Sequence, residues 1–214
     1  MRLNVPLILQ PKDSVDCGIA GIIMLLKYHK INRKFEDIKK EIEVDSTGTY
    51  APQLGSYLIK HGFKVEIITM HPMLFTLKDK NLSQEKILKR FKSFEKISDS
   101  ERNKKVFGYF INFIKDEGKI VVKVPEMEDI KEEIDNHRPL GALLTANFLN
   151  HNQPIFNFHF NIITGYDKSH IYANDPIPDE RGGKKKYLIH DFFYGLFASA
   201  YRDIDNACLI KAKL

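Results

Sequence analysis

The order of elements predicts an α+β fold, with helices early in the chain and a mostly antiparallel sheet later. Three observations point there. Residues from Cys17 to about Lys30 are apolar on nearly every helical face, the mark of a buried central helix. Phe156 to Asn161 alternates strictly between aromatic and polar residues, the period of a strand. Between them, 214 residues with 43% hydrophobic content, 15 Phe and 9 Tyr supply enough core for one domain.

Taken in order, Val5 to Leu9 predicts a short strand that must turn at Gln10-Pro11. The buried helix follows from Cys17, through Ile19, Ala20, Ile22, Ile23, Met24, Leu25 and Leu26. Phe35 to Ile42 and Pro52 to His61 predict shorter amphipathic helices, the second stopped by Gly62. Phe63 to Thr69 alternates as a strand. Residues 83 to 98 and 103 to 115 predict charged helices around Phe91, Phe94, Phe107, Phe110 and Phe113. Residues 78–118 are therefore expected to be a helical basic insertion in, or cap on, a single domain spanning 1–214. Ile120 to Val124 predicts a strand, and Pro125 the first turn of a helix through Ile130 and Ile134. Leu140 to Ala146 is apolar enough for a buried strand. A hairpin, Ile155 to Thr164 and His170 to Asn174, turns through Gly165 to Ser169. A helix around Phe192 to Ala198 and a strand from Ala207 to Ala212 close the chain.

Composition removes several function classes. No window approaches 18 apolar residues, so no membrane span is expected. The apolar run at the start is broken by Pro6 and lacks a signal peptide's cleavage site, so a cytoplasmic location is expected. Two cysteines without a Cys-x-x-Cys, and eight scattered His, predict no metal and no cofactor. The net charge of +5 lies wholly in residues 78–119, with twelve Lys/Arg against seven Asp/Glu. No recognition motif accompanies it, so it reads as a solvated helical surface and no nucleic-acid partner is expected.

What remains is a possible nucleophile. A thiol attacks as thiolate, and Cys17 sits where the unpaired amides and positive end of the long helix would favour that form. Gly18 leaves room for a substrate backbone. On the predicted strand, Asn157, His159 and Asn161 face away from the aromatic side, so His159 can present an imidazole at a polar surface. Opposite residues of a hairpin share a constant sum, and pairing 159 with 175 centres the turn on Asp167. His159 and Asp175 would then be cross-strand neighbours, with Cβ atoms roughly 5 Å apart. A one-residue slip would put Asn174 there instead. Gln10 and the Cys17 backbone N–H could supply two oxyanion donors.

Gln10 with Asp16-Cys17-Gly18-Ile19-Ala20, Met24 and Tyr28 resembles the opening motif of the bacteriocin-processing, double-glycine leader peptidases. His159-Phe160-Asn161-Ile162-Ile163-Thr164-Gly165-Tyr166-Asp167 and Asn174-Asp175-Pro176 resemble that family's His and Asp motifs. The resemblance spans roughly 5–75 and 125–213. It implies a papain-like cysteine peptidase fold, with a helical half bearing the nucleophile helix packed on the sheet. It also implies the roles of Cys17 as nucleophile, His159 as base, Asp175 as orienter and Gln10 as oxyanion donor. Two departures stand out: Gln10 lies one residue farther from Cys17 than is usual there, and residues 78–118 lengthen the Cys-to-His interval. Gly182-Gly183-Lys184-Lys185-Lys186 is not a phosphate loop, so a stand-alone member is expected. The implied function is cysteine peptidase action on a peptide or protein substrate, such as a leader, through a thioester acyl-enzyme. An acyl or peptidyl transferase, or a non-catalytic peptide-binding module, are the alternatives.

Overall fold

The structure, a computed structural model, describes residues 1–150, 158–201 and 203–214. Its order is α1 (Cys17–Tyr28), α2 (Phe35–Glu41), α3 (Ala51–Lys60), β1 (Lys64–Thr69), α4 (Gln84–Ile97), α5 (Glu101–Lys115), β2 (Lys119–Val122) and α6 (Met127–Asp135). Then come β3 (Leu140–Thr145), α7 (Ala146–Leu149), β4 (Phe158–Tyr166), β5 (His170–Asp175), β6 (Gly183–Leu188), α8 (Ile189–Ala198) and β7 (Cys208–Lys213). The strands form one sheet in the order β2-β1-β7-β3-β4-β5-β6, antiparallel except where β1 meets β2. This is the expected α+β, papain-like architecture.

The central helix is buried as its all-round apolar sequence requires: Gly18 to Leu26 are all buried. It packs on β4, and the close approach has a specific cause. A Cβ on Gly21 would meet the Phe160 ring at 2.4 Å, and one on Gly141 would meet the same ring at 2.5 Å. Phe160 is thus clamped between α1 and β3. Since α1 begins one turn before Gly21, this clamp also sets where Cys17 sits against β4.

The segment between β1 and β2 packs through the Phe series read from sequence. Phe91, Phe110 and Phe113 are fully buried and join the main core, with Phe107 beside them. Gln84 exchanges two hydrogen bonds with the Ile120 backbone, at 2.8 and 2.9 Å, which ties α4 to the edge strand β2. That contact covers an edge that would otherwise be open to pairing.

Several expectations need correction. Val5 to Leu9 is not a strand: Arg2 bridges Gly165, Leu3 N–H donates to Thr164 and Gln10 N–H to Pro176, with no ladder between. Pro6 lacks the N–H a ladder would need. Pro125 lies before the Glu126 N-cap rather than inside the first turn, because the Asp129 carboxylate takes the Glu126 N–H at 3.0 Å and starts α6 there. β6 was not foreseen, since its Lys-rich sequence hides it. It is an edge strand on which Tyr187 alone is buried, and Lys is what protects such an edge.

The hairpin register is also corrected. The observed pairs are Ile162 with Asn174 and Ile163 with Ala173, then Gly165 with Tyr172 after a bulge. The pairing sum is therefore two higher than expected near the site. A shift of two keeps every side chain on its face, so sidedness survives. The bulge falls where the N-terminal chain crowds β4, for a Cβ on Gly165 would lie 2.5 Å from the Met1 carbonyl. The part of the hairpin assigned to 155–157 lies outside the described residues.

Candidate active site

Cys17 opens α1 and is half-buried, whereas Cys208 is buried in the sheet. Burial pushes the Cys17 thiol up to about 11, against the pull of the Phe160, Gly18 and Cys17 backbone amides, and Asp175 raises it further. The expected effect of the helix terminus is present, but loss of water outweighs it. Burial therefore favours the neutral thiol over the thiolate at this position. Asp16, just before it, does not cap the helix; its Oδ2 instead accepts from Lys39 Nζ at 3.0 Å.

His159 lies on β4 and opens onto the same cleft as Cys17, while its neighbour Phe160 points into the core. Its Nδ1 is 3.1 Å from Asp175 Oδ1. The distance is that of an ion pair, but the direction is off the line of a hydrogen bond, since Nδ1 makes none. Asp175, fully buried, is fixed by two other bonds: Oδ1 accepts from Ile177 N–H at 3.0 Å, and Oδ2 from Asn161 Nδ2 at 3.3 Å. With Nδ1 turned toward Asp175, Nε2 is left for the cleft.

The corrected register explains this geometry. One step beyond the Ile162–Asn174 pair, Asn161 falls opposite Asp175, and His159 becomes its diagonal neighbour on the same face. Asn174 faces elsewhere and donates from Nδ2 to the Val5 carbonyl at 3.2 Å. The one-residue slip is thereby excluded.

Gln10 is buried at the cleft's edge. Its backbone N–H is held by the Pro176 carbonyl at 2.8 Å, directly after Asp175. Nε2 donates to the Ser14 carbonyl at 2.6 Å, which fixes the amide's orientation and leaves a second N–H on that nitrogen. The longer Gln10-to-Cys17 interval folds into a turn closed by Ser14 N–H on the Pro11 carbonyl, with Asp13 at φ 58°.

The cleft holds about 490 Å³ and brings Gln10, Cys17 and His159 together. Its walls include residues that sequence reasoning missed: Thr49, Arg102 from α5, and Pro178, Asp179 and Arg181 from the β5–β6 turn. Thr49 packs on Gly18 so closely that a Cβ there would lie 2.1 Å from its Oγ1. Arg102 is bound to Asp203 at 2.8 Å. No local pattern marks these residues, because only the fold joins them. Among the described residues, no group of three or more His, Cys, Asp or Glu could hold a metal ion.

A helix-borne cysteine and a sheet-borne histidine across one cleft define the papain-like class of cysteine-peptidase fold. The profile of the family described as Peptidase C39 matches residues 4–106. Among solved structures, the chain is similar to a putative C39-like peptidase from Bacillus anthracis, at 14% identity and a TM-score of 0.54, covering 99% of this chain and 95% of that one. It is also similar to the peptidase domain of Streptococcus ComA, a bi-functional ABC transporter involved in a quorum sensing pathway, at 13% identity, a TM-score of 0.51 and 98% coverage of both chains. No curated protein matches. The chain thus resembles the C39, bacteriocin-processing peptidases in sequence and has their fold. Among the described residues no helix is long and apolar enough to cross a membrane.

Proposed function

We propose that the chain is a cysteine peptidase that cleaves a peptide or leader sequence through a thioester acyl-enzyme. The observation that carries this is the convergence of Cys17 and the His159–Asp175 pair on one open cleft. As Cys17 Sγ attacks the scissile carbonyl, His159 Nε2 takes the thiol proton. The oxyanion is met by the Cys17 backbone N–H and the free N–H of Gln10 Nε2. His159 then protonates the leaving amine, and water, activated by the same imidazole, hydrolyses the thioester. Asp175 orients the ring and supports its charged form. The same reading takes residues 1–214 as one domain, with 78–118 an insertion whose α5 brings Arg102 to the cleft.

A peptide aldehyde or vinyl probe followed by mass spectrometry tests the nucleophile, with the adduct expected on Cys17. An adduct confined to Cys208, or none, would overturn the reading. Turnover in H₂¹⁸O then tests hydrolysis: label in the new carboxyl is expected, and an unlabelled product joined to an amine would instead make the enzyme a transferase.

Two variants separate the hairpin neighbours. Asp175→Asn keeps the Ile177 bond but removes the charge beside His159, so turnover should fall steeply, though less than on loss of His159. Asn174→Ala removes only the bond to Val5 and should cost about 1 kcal/mol of stability with turnover retained. Urea unfolding and steady-state rates read the two effects; a larger rate loss from the Asn174 variant would put the wrong residue beside the base.

A further inference from the structure

The turn at 45–48 leads into one wall of the cleft and is wedged beside the nucleophile. Thr47 and Thr49 line the cleft with Cys17. Gly48, at φ 112°, approaches the loop before α1 so closely that a Cβ there would lie 2.9 Å from the Val15 carbonyl oxygen. Thr49 packs on Gly18, the residue directly after Cys17. Its Oγ1 makes no hydrogen bond. Thr49 is therefore placed by its neighbours in the chain, not by a polar anchor on its own hydroxyl.

Those neighbours hang on Asp45. Asp45 and Gly48 exchange two backbone hydrogen bonds, both at 3.1 Å. Asp45 Oδ1 accepts from Thr47 N–H at 2.9 Å and from Thr47 Oγ1 at 2.7 Å, while Oδ2 accepts from the Tyr50 hydroxyl at 3.0 Å. The cation that meets Asp45 comes from the inserted segment, 60 residues away. Lys105 Nζ of α5 donates to Asp45 Oδ2 at 3.2 Å and to Glu43 Oε1 at 2.9 Å. One helical turn on, Tyr109 donates its hydroxyl to Glu43 Oε2 at 2.9 Å and sets its ring 5.6 Å from that of Tyr50.

We propose that Lys105 is a positioning residue for substrate binding: from α5 it holds the Asp45 turn, and with it the Thr47–Thr49 wall along which a peptide reaches Cys17. The proposal rests on the peptidase reading. Lys105 stands behind the wall rather than among the described residues that line the cleft. Its effect passes through Asp45, so it appears in affinity for a peptide and not in the reactivity of the thiol. The side chains of Lys105 and Asp45 are 32% and 25% exposed, which keeps the effect moderate. The insertion is then part of the binding machinery rather than a solvated cap.

The test pairs a small reagent with a peptide one. Iodoacetamide reads the thiol alone, whereas a tetrapeptide aldehyde ending in Gly-glycinal must lie along the wall before it adds reversibly to Cys17. Lys105→Ala should weaken binding of the tetrapeptide aldehyde about 5-fold and leave iodoacetamide labelling of Cys17 within about 2-fold of the parent. Lys105→Arg, which keeps a charged donor, should restore most of the affinity. Lys104→Ala is the control: it removes the same charge from the same helix, but the Lys104 ion pair is with Glu101 of α5 itself, at 2.6 Å, so affinity should stay. Unmoved affinity in Lys105→Ala, an equal loss in the Lys104 variant, or an arginine variant as weak as the alanine one overturns the proposal. A parallel fall in aldehyde binding and labelling does the same, since it marks general damage to the site. So does a parent protein that is alkylated yet binds the tetrapeptide no better than acetaldehyde. A Cys17 inert to both iodoacetamide and the tetrapeptide aldehyde would overturn the peptidase reading itself.

Discussion

Cys17→Ala should abolish turnover, and His159→Ala should come close to it. Cys17 is the one thiol among the described residues that line the cleft and the proposed carrier of the acyl intermediate. Cys208 cannot substitute, being buried in β7 with its thiol pushed well above the ordinary value. Burial of the thiol adds a sharper expectation than loss of rate. With its thiol pushed to about 11, Cys17 depends on His159 to accept its proton at neutral pH. Removal of the imidazole should make alkylation of Cys17 climb steadily with pH toward about 11, as for an isolated desolvated thiol. The unaltered protein should react well below that range. Rates of iodoacetamide labelling from pH 5 to pH 10, resolved by mass spectrometry, read both proteins. A fully active Cys17→Ala protein would end the assignment, and identical labelling profiles would remove His159 as the base.

The elements that position this chemistry were legible where periodicity was strong. The apolar run after Cys17 gave a buried helix, and the Phe-rich charged segment gave two helices packed into the core. The pairing of His159 with Asp175 was also legible, although the arithmetic behind it was off by two. Both registers keep the two side chains on one face, and the diagonal distance still lets an imidazole reach a carboxylate. Sidedness is set by alternation, which a sequence shows. Register near a bulge is set by tertiary crowding, here by Met1 and Arg2 against Gly165, which a sequence does not show. Burial was hidden for a similar reason. The helix terminus argued for a thiolate, but desolvation in the folded chain outweighs it. The Asp179–Arg181 lip and Arg102 were invisible for want of any local pattern.

Asp205→Asn should markedly change how stability depends on pH. Asp205 is buried in the loop before β7, where its Oδ2 accepts the Ala51 N–H that opens α3, at 2.8 Å. Oδ1 makes no hydrogen bond. Burial pushes the carboxyl up to about 7, and nearby Asp203 adds to this, against the pull of the Ala51 amide and Arg102. The sign follows from which state holds the proton. Below about pH 4 the folded and unfolded chains are both protonated here, and the group costs nothing. Between about pH 4 and pH 7 the unfolded chain loses the proton while the folded chain keeps it, so stability falls by about 1.4 kcal/mol per pH unit. Above about pH 7 both are ionised and the penalty stays constant, at about 4 kcal/mol. Asparagine keeps the acceptor for Ala51 and cannot ionise, but its amide N–H groups gain no partner, a roughly constant cost of about 1–3 kcal/mol. The free-energy difference between variant and parent should therefore swing by about 4 kcal/mol in favour of the variant from pH 4 to pH 8. Titrating groups that do not interact with Asp205 cancel in that difference. Urea unfolding of both proteins across the range measures it, and two parallel stability curves would show that Asp205 carries its charge into the fold without penalty.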